Sequence, residues 1–191
     1  MTTDAARPHR APQRWESSRL LFTPPLLADA RDIFARFASD DEVTRYLSWP
    51  LHRTVADSDA FVQFSLDEWS RRPAGPYLIR DRSDGRLIGS TGLAVDDKAR
   101  AMTGYVLARD AWGRGYATEA LTAMLQIAAV MGLEELSALC HAEHKASIRV
   151  LEKCGFSRDA GVRSPMSFPN LPVAAPQPVV RYSRRTPAVI A

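Results

Sequence analysis

Between an apolar run at Met102–Ala108 and a long helical pattern lies the segment Trp112-Gly113-Arg114-Gly115-Tyr116-Ala117-Thr118. Its two glycines allow a tight turn from strand into helix and a close approach of backbone to a neighbour. The N–H groups of the turn and of the first helical turn lack intrahelical partners, so they converge on one point, and the helix dipole favours negative charge there. This arrangement binds phosphate; taken alone, it also suits a plain tight connection. A Walker loop would end in Gly-Lys-Ser/Thr, which is missing. A dinucleotide loop fits poorly, because Thr118 takes the sixth position of G-x-G-x-x-G and Glu134 and Glu135 precede the next strand instead of ending it.

The flanking pattern sets the fold class. Arg19–Thr23 reads as a first strand stopped by Pro24-Pro25, and Leu27, Ala30, Ile33, Phe34 and Phe37 follow helical spacing. Asp40 and Asp41 cap a short helix, and Thr54 opens another with Phe61, Phe64, Leu66 and Trp69 on its inner side. Tyr77–Arg80 and Leu87–Gly89 flank the hairpin turn Ser83-Asp84-Gly85. After the loop at Asp96-Asp97-Lys98 comes the Met102–Ala108 strand, the glycine turn, and a helix with a broad apolar side that ends at Gly132. Leu136–His141 reads as a strand, Ser147–Lys153 as a short helix ended by Gly155, and Val179–Tyr182 as a last strand. Helices first, then a meander, then alternating strands and helices imply an α+β mixed sheet.

Composition narrows the class further. At 191 residues, 46% apolar and 25% charged, the chain suits one domain with its own core. Residues 1–17, rich in arginine and proline, read as a flexible arm, 18–185 as the domain and 186–191 as a tail. No apolar stretch reaches the ~18 residues of a membrane span and residues 1–20 lack a signal-peptide core, so the cytoplasm is expected. Cys140 and Cys154 make neither a disulfide framework nor zinc spacing, and His141 with His144 has no third ligand nearby, so no metal is expected. The 22 arginines against three lysines fit a GC-rich genome better than a phosphate-reading surface, and a net charge of +3 is a weak footprint for nucleic acid.

The glycine turn, continued through Glu119-Ala120 and followed by Ala146-Ser147-Ile148-Arg149-Val150-Leu151-Glu152-Lys153-Cys154-Gly155-Phe156, resembles the GNAT superfamily of acyl-CoA-dependent N-acetyltransferases. It is most similar to the branch that acetylates ribosomal-protein N-termini, from about Glu16 to Arg184, including Ser18-Arg19-Leu20-Leu21 and Arg45-Tyr46-Leu47-Ser48-Trp49. The resemblance implies a sheet of about seven strands whose central pair splays to admit pantetheine. It implies acetyl-CoA as co-substrate, with Trp112, Gly113, Arg114, Gly115, Tyr116, Ala117 and Thr118 at the pyrophosphate, and Tyr105, Val106 and Leu107 along the pantetheine arm. His144 stands where the branch carries Asn beside that arm, and Ser147 matches a serine near the sulfur. Asp159 falls where some members place an acid facing the acceptor; an exposed carboxylate at a strand edge is the other reading. Glu143 is a weaker candidate. Leu151 occupies a position often held by a general-acid tyrosine, which leucine cannot replace. Glu119, an acid beside a phosphate turn, is expected to point away into a structural hydrogen bond.

The implied reaction is direct attack of a primary amine on the thioester, the amine belonging to a protein N-terminus or a small molecule. A site without a clear base suits an α-amine, with pKa near 8, better than lysine near 10.4. The chain is expected to act as a monomer or homodimer, without nucleic acid or membrane. A catalytically weak acyl-CoA-binding regulator of the same fold is the alternative.

Overall fold

The computed structural model describes residues 8–96, 100–161 and 164–187. Eight strands form one sheet in spatial order β1-β2-β3-β4-β5-β6-β8-β7. They are β1 (Trp15–Glu16), β2 (Leu20–Thr23), β3 (Pro76–Asp81), β4 (Leu87–Val95), β5 (Ala101–Leu107), β6 (Glu135–His141), β7 (Ser157–Arg158) and β8 (Val179–Arg185). The two strands that the sequence pattern does not suggest, β1 and β7, are two residues long and form the two edges of the sheet. Only the β5–β6 pair is parallel.

Side-chain alternation along the strands splits the core into two layers. Ile79, Ile88, Leu93 and Leu107 pack with Leu121, Met124, Leu125 and Ile127 of α4 (Tyr116–Val130). Their neighbours Leu78, Leu87 and Val106 point the other way, onto Ile33, Phe37 and Val62. Val62 belongs to α3 (Val55–Arg71), whose start is fixed by a reciprocal box between Thr54 and Asp57. Before it, residues 27–38 form a 3-10 turn, one α turn, α1 (Ala30–Ile33), and a π turn, not the single regular helix their spacing suggests. Asp40 caps α2 (Asp41–Thr44) through Glu42 and Val43 N–H. Phe64 is 55% exposed and faces the cleft described below, not the core.

The expected flexible arm is docked where it is described. His9 N–H reaches Met131 O at 2.9 Å, Ala11 N–H reaches Pro73 O at 2.7 Å, and the Arg10 guanidinium donates to Trp69 O. Tyr77 donates its hydroxyl hydrogen to Pro12 O, and Ala11 is 5% exposed. Backbone bonds substitute here for the aliphatic side chains that the segment lacks. Residues 1–7 lie outside the described residues, as do 97–99 of the Asp96 loop and 188–191 of the expected tail; Thr186 N–H bonds Glu134 O at 3.0 Å.

Candidate active site

β5 and β6 pair only at Ala101–Leu136 and Met102–Ser137, and then part. β6 satisfies its other edge on β8 along its full length, so the parting opens a gap in the middle of the sheet. On its far side β5 is paired with β4 throughout. Ala108 N–H bonds Ile88 O, which places this residue in a hydrogen-bonded pair, so alternation turns the main-chain groups of 103, 105 and 107 toward the gap. The indole N–H of Trp112 takes one of them, Leu107 O, at 2.8 Å. The Tyr105 N–H remains directed into the opening. Gly89 permits the close β4–β5 approach beneath: a Cβ there would lie 2.1 Å from Val106 O.

The gap runs onto the glycine turn. Gly113 and Gly115 have φ of 72° and 79°, in the left-handed region that glycine enters without cost, and Gly115 is the N-cap residue of α4. A Cβ on Gly113 would meet nothing within 4 Å. Glu119 turns its carboxylate away from this mouth, as expected. It accepts Ser17 Oγ–H and Arg19 N–H at 2.7 Å each, and Arg19 Nε–H at 2.7 Å. Burial alone would raise its carboxyl pKa, but these donors hold it below the usual range. Arg19 also donates to Arg114 O at 3.0 Å, so the strand β2 entrance and the turn are tied together.

At the inner end, the Tyr105 hydroxyl donates to Ser147 Oγ in a long bond of 3.4 Å. Ser147 lies in the first turn of α5 (Lys145–Lys153). Burial pushes the Tyr105 phenol up to about 12 and the Cys140 thiol up to about 11, so both keep their protons at neutral pH. His144 stacks on Tyr46 with centroids 4.7 Å apart. Burial, and then the nearby His141, hold its imidazole below the ordinary range, which favours the neutral form.

Gap, turn and inner end form one cleft of about 780 Å³. Among the residues singled out in the sequence, Tyr105, Val106, Leu107, Trp112, Gly113, Gly115, Tyr116, Ala117, Thr118, His144 and Ser147 line it. Arg114 does not; its guanidinium lies over the Tyr116 ring, 5.2 Å from the centroid. Asp159 does not either. Its carboxylate accepts Ser183 Oγ–H at 3.0 Å and pairs with Arg181 at 3.2 Å on β8. Glu143 is exposed and does not line the cleft. His141 is 3% exposed; its Nδ1 accepts Glu143 N–H at 3.1 Å, and its ring packs edge-on against Phe168. No group of three or more metal-binding side chains occurs among the described residues.

The structure adds residues that spacing alone did not reveal. Arg149 and Lys153, one turn apart on α5, line the cleft. Beyond the inner end, its lining continues through Tyr46 and Trp49, Phe64 and Glu68 of α3, and Phe168. Asn170 fastens this roof: its Oδ1 accepts Leu51 N–H at 2.7 Å, and its Nδ2 donates to Thr44 O at 2.8 Å and Trp49 O at 2.9 Å. One Asn in a proline-rich stretch carries no readable signal.

A split parallel pair thus leads onto a left-handed glycine cap in an α+β fold. The model of the GNAT acetyltransferase domain matches residues 19–157, and the chain belongs to that family. An uncharacterised N-acetyltransferase of Bacillus subtilis, YoaA, is 29% identical over 79% of this chain and 86% of its own. Among solved structures, the ribosomal L7/L12 α-N-protein acetyltransferase RimL in complex with CoA has a TM-score of 0.77 at 19% identity, covering 88% of this chain and 95% of that one. The microcin C7 self-immunity acetyltransferase MccE, with acetyl-CoA and AMP, has a TM-score of 0.78 at 20% identity, covering 88% and 93%. At these identities the two structures establish the fold.

Proposed function

We propose that the chain transfers an acetyl group from acetyl-CoA to a primary amine by direct attack, within the branch that includes RimL. The observation that carries this reading is the parting of β5 and β6 after Met102, which opens onto the α4 N-terminus. RimL and MccE were solved with CoA and acetyl-CoA bound, which supports the same ligand here. The cleft fits such a group. Its mouth offers the amides of residues 113–118, and Arg149 and Lys153 of the same lining supply positive charge.

When bound, acetyl-CoA supplies an activated thioester. The residues of this chain do the rest. Tyr105 N–H faces the gap where the thioester oxygen gathers charge, a placement worth about 3–4 kcal/mol in comparable sites. Ser147, already accepting from Tyr105, is placed to donate its own hydrogen to the departing sulfur. His144, in its favoured neutral form, offers one lone pair at the cleft wall. Holding amine and thioester together contributes roughly 7–11 kcal/mol. Among the described lining residues, Glu68 on α3 is the one carboxylate and none stands beside Tyr105 and Ser147, which favours an α-amine that is partly neutral at pH 7. No described helix is long and apolar enough to cross a membrane.

Calorimetric titration with CoA, joined to a thiol-release assay over a panel of amines, tests the reading. Binding with amine-dependent thiol release is expected. Binding with no release for any amine would favour the regulatory alternative, and absence of binding would overturn both.

A further inference from the structure

The acceptor end of the cleft has a marked charge pattern. Its walls are Tyr46, Trp49, Phe64 and Phe168, and its one carboxylate among the described lining residues is Glu68. The other charged lining residues, Arg149 and Lys153, stand on α5. Glu68 is half-buried, and no hydrogen bond or ion pair reaches its carboxylate within the described residues. Phe64 and Glu68, four residues apart, share one face of α3. The turn that carries them is held over the end of β3, because Trp69, the next residue, donates its indole N–H to Pro76 O at 2.7 Å.

The floor beneath is bare. Pro76, Gly92 and Gly104 lie in register across β3, β4 and β5; a Cβ at Gly104 would meet nothing within 4 Å, whereas one at Gly92 would press on Pro76 Cα at 2.9 Å. This row spans two strand spacings, on the order of 10 Å, and ends beside Tyr105. A solvated carboxylate at the edge of an aromatic chamber favours a cation, both by direct pairing and through the faces of the surrounding rings. The cations among the described lining residues, Arg149 and Lys153, stand on α5 and not on α3 beside Glu68.

We propose that Glu68 is the specificity residue for an acceptor whose side chain carries a positive charge, the α-amine reacting at the thioester while the side-chain cation pairs with Glu68. The substrate class is therefore a basic amino acid derivative or the N-terminus of a chain that begins with a basic residue. This assignment rests on the acetyl-transfer reading for the reacting amine, while the Glu68 contact itself is a matter of binding.

Lysinamide and norleucinamide separate the two. They share the α-amine and the four-carbon stem, and differ only in the ε-ammonium. Titrated into the CoA-loaded protein at pH 7.5, lysinamide should bind at least tenfold more tightly, with a preference that shrinks as salt is raised. Glu68→Gln should reduce that preference to less than about twofold, and Glu68→Asp should retain most of it; melting curves would confirm that both variants fold. Equal affinities in the parent, failure of either amide to bind, or a preference that survives Glu68→Gln would overturn the proposal. Preferential binding of lysinamide without thiol release from acetyl-CoA would support the Glu68 site and count against acetyl transfer.

Discussion

Tyr116 donates its phenolic hydrogen to the Asp81 carboxylate at 2.7 Å, with both residues buried. Tyr116 is the first residue of α4 and Asp81 the last of β3, so this bond anchors the glycine turn to the sheet. Tyr116, followed by the Ser83 N–H and hydroxyl, holds the Asp81 carboxyl at about 2. A carboxyl whose folded pKa is depressed contributes stability above its unfolded pKa, near 3.9, and loses it as pH falls through the folded value.

Tyr116→Phe should therefore destabilise the protein by about 1.5–3 kcal/mol at neutral pH, the usual worth of a hydrogen bond to a charged group. Urea unfolding of both proteins between pH 7 and 2.5 checks it. The difference between them should shrink below about pH 4, as Asp81 becomes protonated in the unfolded chain and then in the fold.

Gly115→Val should lower CoA affinity more than tenfold. Strain alone predicts a stability loss of roughly 1–2 kcal/mol for any β-carbon at this φ. Gly85, at φ 73° in the β3–β4 turn, controls for it: a Cβ there would meet nothing within 4 Å, and one on Gly115 only Arg19 Nη2 at an ordinary 3.5 Å. Gly85→Val should lose similar stability and bind CoA as the parent does, which calorimetry would show directly.

Asn170→Ala should loosen the acceptor roof. Three backbone groups of residues 44–51 lose their partner, at about 1–3 kcal/mol in stability. The KM for the amine should rise several-fold, while CoA affinity stays within about twofold, because the cap and the β5–β6 gap are untouched.

Much of this architecture was legible in local chemistry. Gly113 and Gly115 announce a left-handed turn, the hairpin at Ser83-Asp84-Gly85 has the residues such turns require, and Gly132 and Gly155 close their helices at φ of 77° and 72°. What stayed hidden depends on contacts distant in sequence. The docking of Ala11 beside Pro73 rests on backbone bonds that composition does not encode. Phe64 has the spacing of a core residue, yet the glycine floor at Gly92 and Gly104 leaves an open cleft in front of it. Asp159 has the right distance from Phe156 to be placed near an acceptor, but Arg181 and Ser183, brought to it by the β7–β8 pairing, engage its carboxylate in an ion pair and a hydrogen bond.

Asp159→Asn follows from that placement. Its effect on kcat should stay within about twofold, against the 10²–10⁴ loss that removal of a positioned base produces. Steady-state rates with one good amine decide between the two.

His144 supplies the last test. Burial, then His141, favours the neutral form of its imidazole, and the groups around it are the Tyr46 ring, His141 and the first turn of α5. A histidine whose folded pKa is depressed takes up its proton more readily in the unfolded chain. Stability is then complete above the unfolded value of about 6.5 and falls as pH drops below it. His144→Asn removes this penalty. Its stability relative to the parent should rise as pH goes from 7.5 to 5, a trend that urea unfolding at the two pH values would show. Acetyl-CoA affinity should hold or improve, because an amide both donates and accepts where neutral imidazole does one at each nitrogen. If kcat/KM of the parent falls on the acid side and the Asn variant loses that limb, the titrating group is His144 itself. If affinity drops more than tenfold, the imidazole has a binding role that an amide does not fill.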